Sequence, residues 1–467
     1  MSFNIPKTNK KRVVIVGGGF GGLQLANKLK DSGYQVVLVD KNNYHQFLPL
    51  IYQVASAGME PSSIAFPFRN VYKKRKKDFF FRMAEARAVV PELNLLQTSI
   101  GKIEYDYLVF AAGTVSNFFG NKHIEEVAMP MKNISEAMGL RNALLANFER
   151  AVTCTSEEEK RELLNIVIVG GGATGIEIAG ALSEMKRYVL PKDYPELKPE
   201  ELQIYLVEAA DRLLQGMTPK ASQDTAKFLE EMGVKMILGK KVADYIDRKV
   251  IFENGDTIPT RTFIWTSGVT AARIGNMKPE TMGRGGRIQV DGFNRVKGYD
   301  NIFSIGDQCL LTDDPAYPNG HPQLAQVAIQ QGTLLASNLK RLQSGEVFQP
   351  FRYKDLGSMA TIGRNRAVVD LPKLHFSGWF AWLMWLVVHL RSILGVRNKI
   401  FVLLNWIWNY VTYDYTMRLI IYARKAKEVR EREEREAVTH LGEDILSPLP
   451  QQRQTKQGEL NRQANQQ

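Results

Sequence analysis

The sequence predicts an α/β protein made of two similar parallel-sheet units, closed by an apolar helical segment. Three observations carry that prediction. Val13-Val14-Ile15-Val16 runs directly into Gly17-Gly18-Gly19-Phe20-Gly21-Gly22, and Ile166-Val167-Ile168-Val169 into Gly170-Gly171-Gly172-Ala173-Thr174-Gly175. Each turn is followed by another apolar run that stops on a carboxylate, Asp40 in the first copy and Glu208 in the second. Near the end, Trp379, Trp382, Trp385, Trp406 and Trp408 gather five of the six tryptophans into one short region.

The first copy sets the pattern. Four consecutive β-branched residues read as a buried parallel strand, and the glycines turn the chain into a helix expected to begin near Leu23. Gly17, Gly19 and Gly22 fill G-x-G-x-x-G: one for a tight turn, one for close approach to a pyrophosphate, one for helix-on-strand packing. Asp40 follows at roughly the expected 20 residues, placed to accept hydrogen bonds from a ribose. The unit therefore reads as a dinucleotide-binding fold, with the pyrophosphate on the positive helix N-terminus. Residues 43–52, including Pro49, form an apolar, aromatic, loop-like stretch; lining a flat ring and plain core packing explain it equally well. The run Lys73-Lys74-Arg75-Lys76-Lys77 reads as a solvated helix face. Residues 102–114 read as a hairpin end, a strand over 107–110, and a loop of small residues around Gly113 that lets a ligand approach the backbone. A charged helical pattern over 136–160 closes this part, placing the first unit at 1–135.

The second copy, 136–290, repeats the plan. Gly170, Gly172 and Gly175 take the three glycine positions, and a strand over 203–207 ends on Glu208. The spacing to the acid is longer than usual, and the proline-rich stretch 191–199 accounts for it. Residues 261–268, ending at Gly268, echo the strand and small loop around Gly113. Duplication at about 150 residues means two Rossmann-like dinucleotide-binding domains and two nucleotides. Such a pair has one economical use, hydride transfer from a nicotinamide to a flavin. Glu208 favours NADH, because a carboxylate binds ribose hydroxyls and repels a 2′-phosphate; nearby Arg212 weakens that preference. Glu177, just inside the second helix, either complements the helix dipole or serves the site, the two readings carrying equal weight.

Residues 291–375 return to the first unit. A strand over 301–305 ends in Gly306-Asp307, where the carboxylate is placed to hold a ribityl hydroxyl. A helix over 321–332 follows, with Pro322 near its first position. Its positive end would stabilise a reduced, anionic flavin by roughly 0.3–2 kcal/mol. Gln326 and Gln330 share one face of it, beside Ala325 and Ala328, whose small side chains admit a flat ligand. The apolar runs near 376–388 and 401–413 are each too short for the 18 or more residues that spanning a bilayer requires. Their tryptophans lie among Arg391, Arg397, Lys399, Arg418, Arg424, Lys425 and Lys427. Amphipathic rings with flanking cations suit a headgroup boundary, so 376–425 reads as a C-terminal amphipathic helical membrane-attachment region. The charged, glutamine-rich tail, 426–467, is expected to be disordered beyond a helical start.

Composition narrows the partners. A net charge of +12 permits attraction to anionic lipid, nucleic acid or acidic proteins, but no nucleic-acid-binding motif accompanies it. Cys154 and Cys309 are far apart in sequence and in no C-x-x-C arrangement, which argues for a reducing compartment and against a disulfide framework or an iron–sulfur cluster. The six histidines are scattered, so no metal site is expected. No apolar signal segment precedes the first strand, so secretory export is not expected.

With these pieces assembled, residues 10–425 resemble the type II NADH:quinone oxidoreductases. The resemblance rests on the segment 47–58, on Ala325-Gln326-Val327-Ala328-Ile329-Gln330, and on the tryptophan-rich end. It implies FAD on the first unit, NADH on the second, and a quinone reached from the membrane side. It places FAD-binding roles on Asp40, Gly306 and Asp307, the NADH ribose role on Glu208, and the quinone-site glutamines on Gln326 and Gln330. Glu177 would lie between the nicotinamide and quinone pockets. The expected location is the cytoplasmic side of the cell inner membrane, attached peripherally to the lipid bilayer surface. Ubiquinone and menaquinone are not distinguished, and the oligomeric state stays open, a homodimer being compatible with the sequence. The rival of the same fold is a sulfide:quinone oxidoreductase, which needs cysteines near the flavin to carry sulfur.

Overall fold

The computed structural model describes residues 3–72, 78–414 and 417–421. The basic run 73–77, the cations Arg424, Lys425 and Lys427, and the tail 426–467 lie outside the described residues.

Val13, Val14 and Ile15 are fully buried because their strand, Arg12–Val16, is the middle of a five-stranded parallel sheet. Its neighbours are Gln35–Asp40 on one side and Tyr107–Phe110 on the other, with Phe79–Met83 and Ile302–Ser304 at the edges. The second glycine-rich strand, Asn165–Val169, repeats this arrangement. It lies between Gln203–Glu208 and Thr262–Trp265, with Lys235–Leu238 and the two-residue strand Met129–Pro130 outermost. Met129–Pro130 joins this sheet ahead of residue 136, so the second layer starts slightly earlier than the helical pattern suggested. Each unit also carries a three-stranded antiparallel meander just before its last central strand, one from Ala86 to Glu104 and one from Val242 to Pro259. The two units are joined by an antiparallel pair, Thr114–Ser116 against Val269–Ala271, which directly follows the small-residue loops at Gly113 and Gly268.

Helix positions refine the sequence reading. The first helix spans Phe20–Lys28, so the turn completes three residues earlier than the Leu23 start expected. Gly19, its N-cap, is already extended and lets the helix begin at once. The charged stretch 136–160 is two helices, Ile134–Thr153 and Glu157–Leu164, broken where Ser156 caps the second. Residues 43–52 are not a loop: they hold the short strand Tyr44–Gln46, a 3-10 turn Leu48–Leu50 containing Pro49, and the helix Ile51–Ala55. Phe47 and Leu50 are fully buried there, which is core packing.

A third meander, Ser358–Gly363, Arg366–Leu371 and Leu374–Ser377, covers the helix Ala173–Tyr188. The contact is close because Gly180 has no Cβ; one would collide with the Ile362 carbonyl. His375 ties this meander to the second unit. Its Nδ1 lies 2.5 Å from Asp370 and its Nε2 3.1 Å from Asp224. Two helices, Trp379–Ser392 and Val396–Thr412, leave the meander. Among the described residues no helix is long and apolar enough to cross a membrane.

Candidate active site

The two acids that end the second strand of each unit are held in the same way. The Gly18 N–H donates to Asp40 Oδ2 at 2.7 Å and the Asn42 N–H to Oδ1 at 2.7 Å. The Gly171 N–H donates to Glu208 Oε2 at 2.6 Å and the Ala210 N–H to Oε1 at 2.9 Å. Both carboxylates are thus fixed against their glycine turns at the carboxyl ends of the strands, where ligands of such sheets bind. Burial pushes the Asp40 carboxyl up, and the two backbone donors and Lys41 work against that rise.

The glycines divide the labour as their spacing predicts. Gly17 has φ +100° and Gly170 φ +116°, in the left-handed region, and a Cβ on either would strike the neighbouring crossover loop. A Cβ on Gly22 would collide with the Gly17 carbonyl, and one on Gly175 with the Gly170 carbonyl. Gly19 and Gly172 differ: a Cβ on either points into open space. That is the surface a pyrophosphate needs, with the helix N-terminus behind it.

Beside the first turn, Gly113 also faces open space at φ +70°. Asp307 follows the strand Ile302–Ser304, on the turn Gly306–Gln308. Burial raises its carboxyl pKa, and Lys132, Arg287 and the Thr114 hydroxyl oppose the rise. Three partners here carried no sequence signal. Gln308 accepts from the Ala112 N–H at 3.0 Å and donates to the Ala272 carbonyl at 2.7 Å, linking the crossover loops of the two units. Gln331 accepts from the Gly306 N–H at 2.7 Å. Lys132 lies close enough to Asp307 to be coupled to it electrostatically.

The helix after this turn runs Ala325–Gln343 with Leu324 as its N-cap, so the expected start at 321 with Pro322 at the first position is corrected. His321 is buried instead, its Nε2 3.0 Å from Asp314, which holds residues 321–324 off the helix axis. The helix lies against Phe20–Lys28 because Gly332 and Gly21 let the backbones meet; a Cβ on Gly332 would come 2.6 Å from the Gly21 carbonyl. Gln326 donates to the Gly357 carbonyl at 2.8 Å and accepts from the Leu356 N–H at 3.2 Å. Gln330 donates to the Lys354 carbonyl at 2.9 Å and accepts from the Lys354 N–H at 3.0 Å. Each amide therefore clasps the segment that leads into the third meander.

Glu177 is the fifth residue of Ala173–Tyr188, beyond the first turn, so the helix-dipole reading is set aside. Burial drives its carboxyl well above the usual carboxylate range, eased only by a backbone hydrogen bond from Thr361. It is coupled to buried Tyr52, whose hydroxyl accepts from Gln53 at 2.8 Å. Gln53 in turn accepts from the Trp406 indole N–H at 2.9 Å. Side chains from the 47–58 segment and the last helix thus form one hydrogen-bonded chain, Trp406 to Gln53 to Tyr52, within the electrostatic reach of Glu177. Arg212 donates to the carbonyls of Leu214, Gln215 and Met217, which occupies its guanidinium.

Two family models match the chain: one described as pyridine nucleotide-disulphide oxidoreductase over residues 11–332, and one described as NDH2 C-terminal domain over 356–412. A type II NADH:quinone oxidoreductase of Mycobacterium tuberculosis is 35% identical over 416 residues, 85% of this chain and 87% of its own. The chain belongs to the type II NADH:quinone oxidoreductases. An internal alternative NAD(P)H-ubiquinone oxidoreductase of Arabidopsis thaliana mitochondria is 30% identical over 437 residues, 86% of this chain and 84% of its own. Among solved structures, NDH2 of Plasmodium falciparum in complex with NADH superposes with a TM-score of 0.82 at 20% identity, covering 89% of this chain and all of that one. The sulfide:quinone oxidoreductase of Aquifex aeolicus shares the fold at a TM-score of 0.66 and 20% identity, covering 83% of this chain and 92% of that one. That likeness shows the fold alone. Both cysteines are free, and Cys309 is buried against Asn294 and Gln331, its thiol pushed up to about 12 by burial.

Proposed function

We propose that this type II NADH:quinone oxidoreductase oxidises NADH on its second unit and reduces a membrane quinone beside Glu177, Gln326 and Gln330, without pumping protons. The observation that carries the reading is the doubled turn-and-acid geometry, Gly18 with Asp40 and Gly171 with Glu208, joined by crossover loops that Gln308 bridges. The first turn fits FAD: Gly19 and Gly113 leave a backbone cradle that a Cβ would fill, and the carboxylates of Asp40 and Asp307 suit ribose and ribityl hydroxyls. Gly17, Gly22, Gly306, Pro49, Ala325 and Gln326 complete that set, in the part of the chain taken as 1–135 with 291–375. Gly170, Gly172, Gly175, Glu208 and Gly268 would hold NADH in 136–290, with Glu177 at its nicotinamide end. Held by these residues, FAD would supply the hydride acceptor for NADH and the two-electron donor for the quinone. The protein's own contribution is distance and orientation. Glu177, with a raised pKa, is able to carry a proton at neutral pH toward a quinone oxygen.

The exposed apolar residues of the last two helices support attachment to a lipid surface over 376–425; the face proposed is the cytoplasmic one of the inner membrane, where NADH is supplied. Phe380, Leu383 and Val387 recur at helical spacing on one helix, and Leu404, Trp408 and Val411 on the other. Lys399 and Arg391 lie at the turn between them, where cations meet headgroups. Anaerobic stopped-flow absorbance of the flavin band tests the reaction. NADH should bleach it and a short-chain quinone should restore it; bleaching by sulfide but not by NADH would overturn the assignment.

A further inference from the structure

Phe119 is a bulky aromatic residue held in a conformation that its own backbone resists. Its φ is +52°, in the left-handed region that side chains other than those of glycine, asparagine and aspartate rarely adopt, and 68% of it is exposed. Strain of this kind persists only where the surroundings impose it, and it gathers at ligand clamps. The surroundings here are explicit. The Trp265 indole N–H donates to the Asn117 carbonyl at 2.9 Å, and the Asn117 N–H to the Gly268 carbonyl at 3.3 Å. The Phe119 N–H closes back on the Asn117 side chain at 2.9 Å. On the far side, Asn121 caps the next helix and donates to the Ala243 carbonyl. Held at both ends, the loop brings the tip of the Phe119 ring to Gly268, where a Cβ would come within 3.0 Å of Cζ, with the ring edge-on to Trp265 at 6.4 Å.

The sheet order says which part of a dinucleotide this ring would meet. Glu208, the ribose acid, ends the strand on one side of the central strand Asn165–Val169. Trp265 ends the strand on the opposite side, followed by Gly268. A dinucleotide whose adenosine lies at Glu208 and whose pyrophosphate crosses the Gly170 turn therefore carries its nicotinamide half toward Gly268. We propose that Phe119 is a stacking platform for the nicotinamide half of NADH, presented over Gly268 by a strained loop. The inference rests on the NADH reading of the second unit. A flat ring receives another flat ring through dispersion and offset stacking, whatever its hydrogen-bond pattern. The missing Cβ at Gly268 lets the tip of the ring come close to the backbone while most of Phe119 stays exposed.

The test uses the FAD-loaded protein and two probes, NAD+ and ADP-ribose, which share everything but the nicotinamide. In Phe119→Ala, calorimetry should show NAD+ bound about tenfold more weakly, with ADP-ribose unchanged. The KM for NADH should rise in parallel while the KM for quinone holds, and Phe119→Tyr should restore both NAD+ affinity and KM. Unchanged NAD+ affinity in Phe119→Ala would overturn the proposal. So would an equal loss for ADP-ribose, which would mark a loop that merely shapes the site. A wild-type flavin that NADH fails to bleach would remove the underlying reading instead, a result distinguishable from either.

Discussion

Gly19 and Gly22 are three positions apart and should respond to the same substitution in opposite ways. In Gly22→Ala the new methyl meets the Gly17 carbonyl, so strand and helix must separate, at a cost of about 1–3 kcal/mol or more. Thermal unfolding should show the loss even before cofactor content is measured. In Gly19→Ala the methyl enters open space, so the melting temperature of the cofactor-free protein should hold while FAD content falls. Glu177 offers a pH signature. Its folded pKa lies above its unfolded value, so the stabilising balance is fully present below the ordinary carboxylate range. It is lost as pH rises through the folded pKa. Glu177→Gln cannot ionise and should escape that loss. The variant should gain on the wild type by about 1.4 kcal/mol for each pH unit crossed inside that window, with no difference at pH 4. Melting curves between pH 4 and 9 check this, and parallel curves would remove the assignment of a raised pKa.

Among elements, the helix Ala325–Gln343 connects two parts of the candidate site. One side meets Phe20–Lys28 through Gly21 and Gly332, and another clasps residues 354–357 through Gln326 and Gln330. Their place on one helix face was legible from the four-residue spacing. Their bonding to the 354–357 backbone was not, because that segment has no periodicity of its own and is brought there by the third meander. Gln330→Ala removes both hydrogen bonds to Lys354 and should cost about 1–2 kcal/mol. Bleaching of the flavin by NADH should keep its wild-type rate, while the KM for quinone rises. If the bleaching rate falls as well, the clasp serves the whole fold rather than the acceptor side. The start of this helix was misread because Pro at a first helical position is a general preference. Here His321 is buried and paired with Asp314, and the helix starts only at Ala325, after an extended Leu324.

For the whole molecule, the last two helices show one apolar face inward and another outward. Ala381, Trp385 and Val402 are fully buried, whereas Phe380 is 72% and Trp408 54% exposed. Replacing Phe380 and Trp408 together by serine should weaken attachment to anionic vesicles by about 3 kcal/mol or more, at roughly 1.5–3 kcal/mol for each ring withdrawn from lipid. Cosedimentation with vesicles reads this directly, and soluble NADH oxidation should persist in the variant. Raising the salt concentration should release the wild type only in part, because the apolar contribution is not screened. Complete release by salt alone would reassign the attachment to charge.

The sequence by itself determined the two glycine-turn units, their order and the carboxylate that ends a strand in each. Each of those features is local: a β-branched run, a glycine turn whose backbone geometry few other residues adopt, and a carboxylate at a strand's end. It also determined that the tryptophan-rich end is amphipathic, since a helix's faces follow from a period of 3.6 residues. Only the tertiary structure decided which distant side chains meet. Tyr52, Gln53 and Trp406 come from two regions and form one hydrogen-bonded chain, with Glu177 from a third near enough to be coupled to Tyr52. Gln308, Gln331 and Lys132 reach the first site from positions with no motif. Phe119 acquires its posture from Trp265 and Gly268, well over a hundred residues away. Contacts between residues far apart in the chain depend on how sheets and helices pack, and that packing is a property of the assembled core rather than of any one stretch.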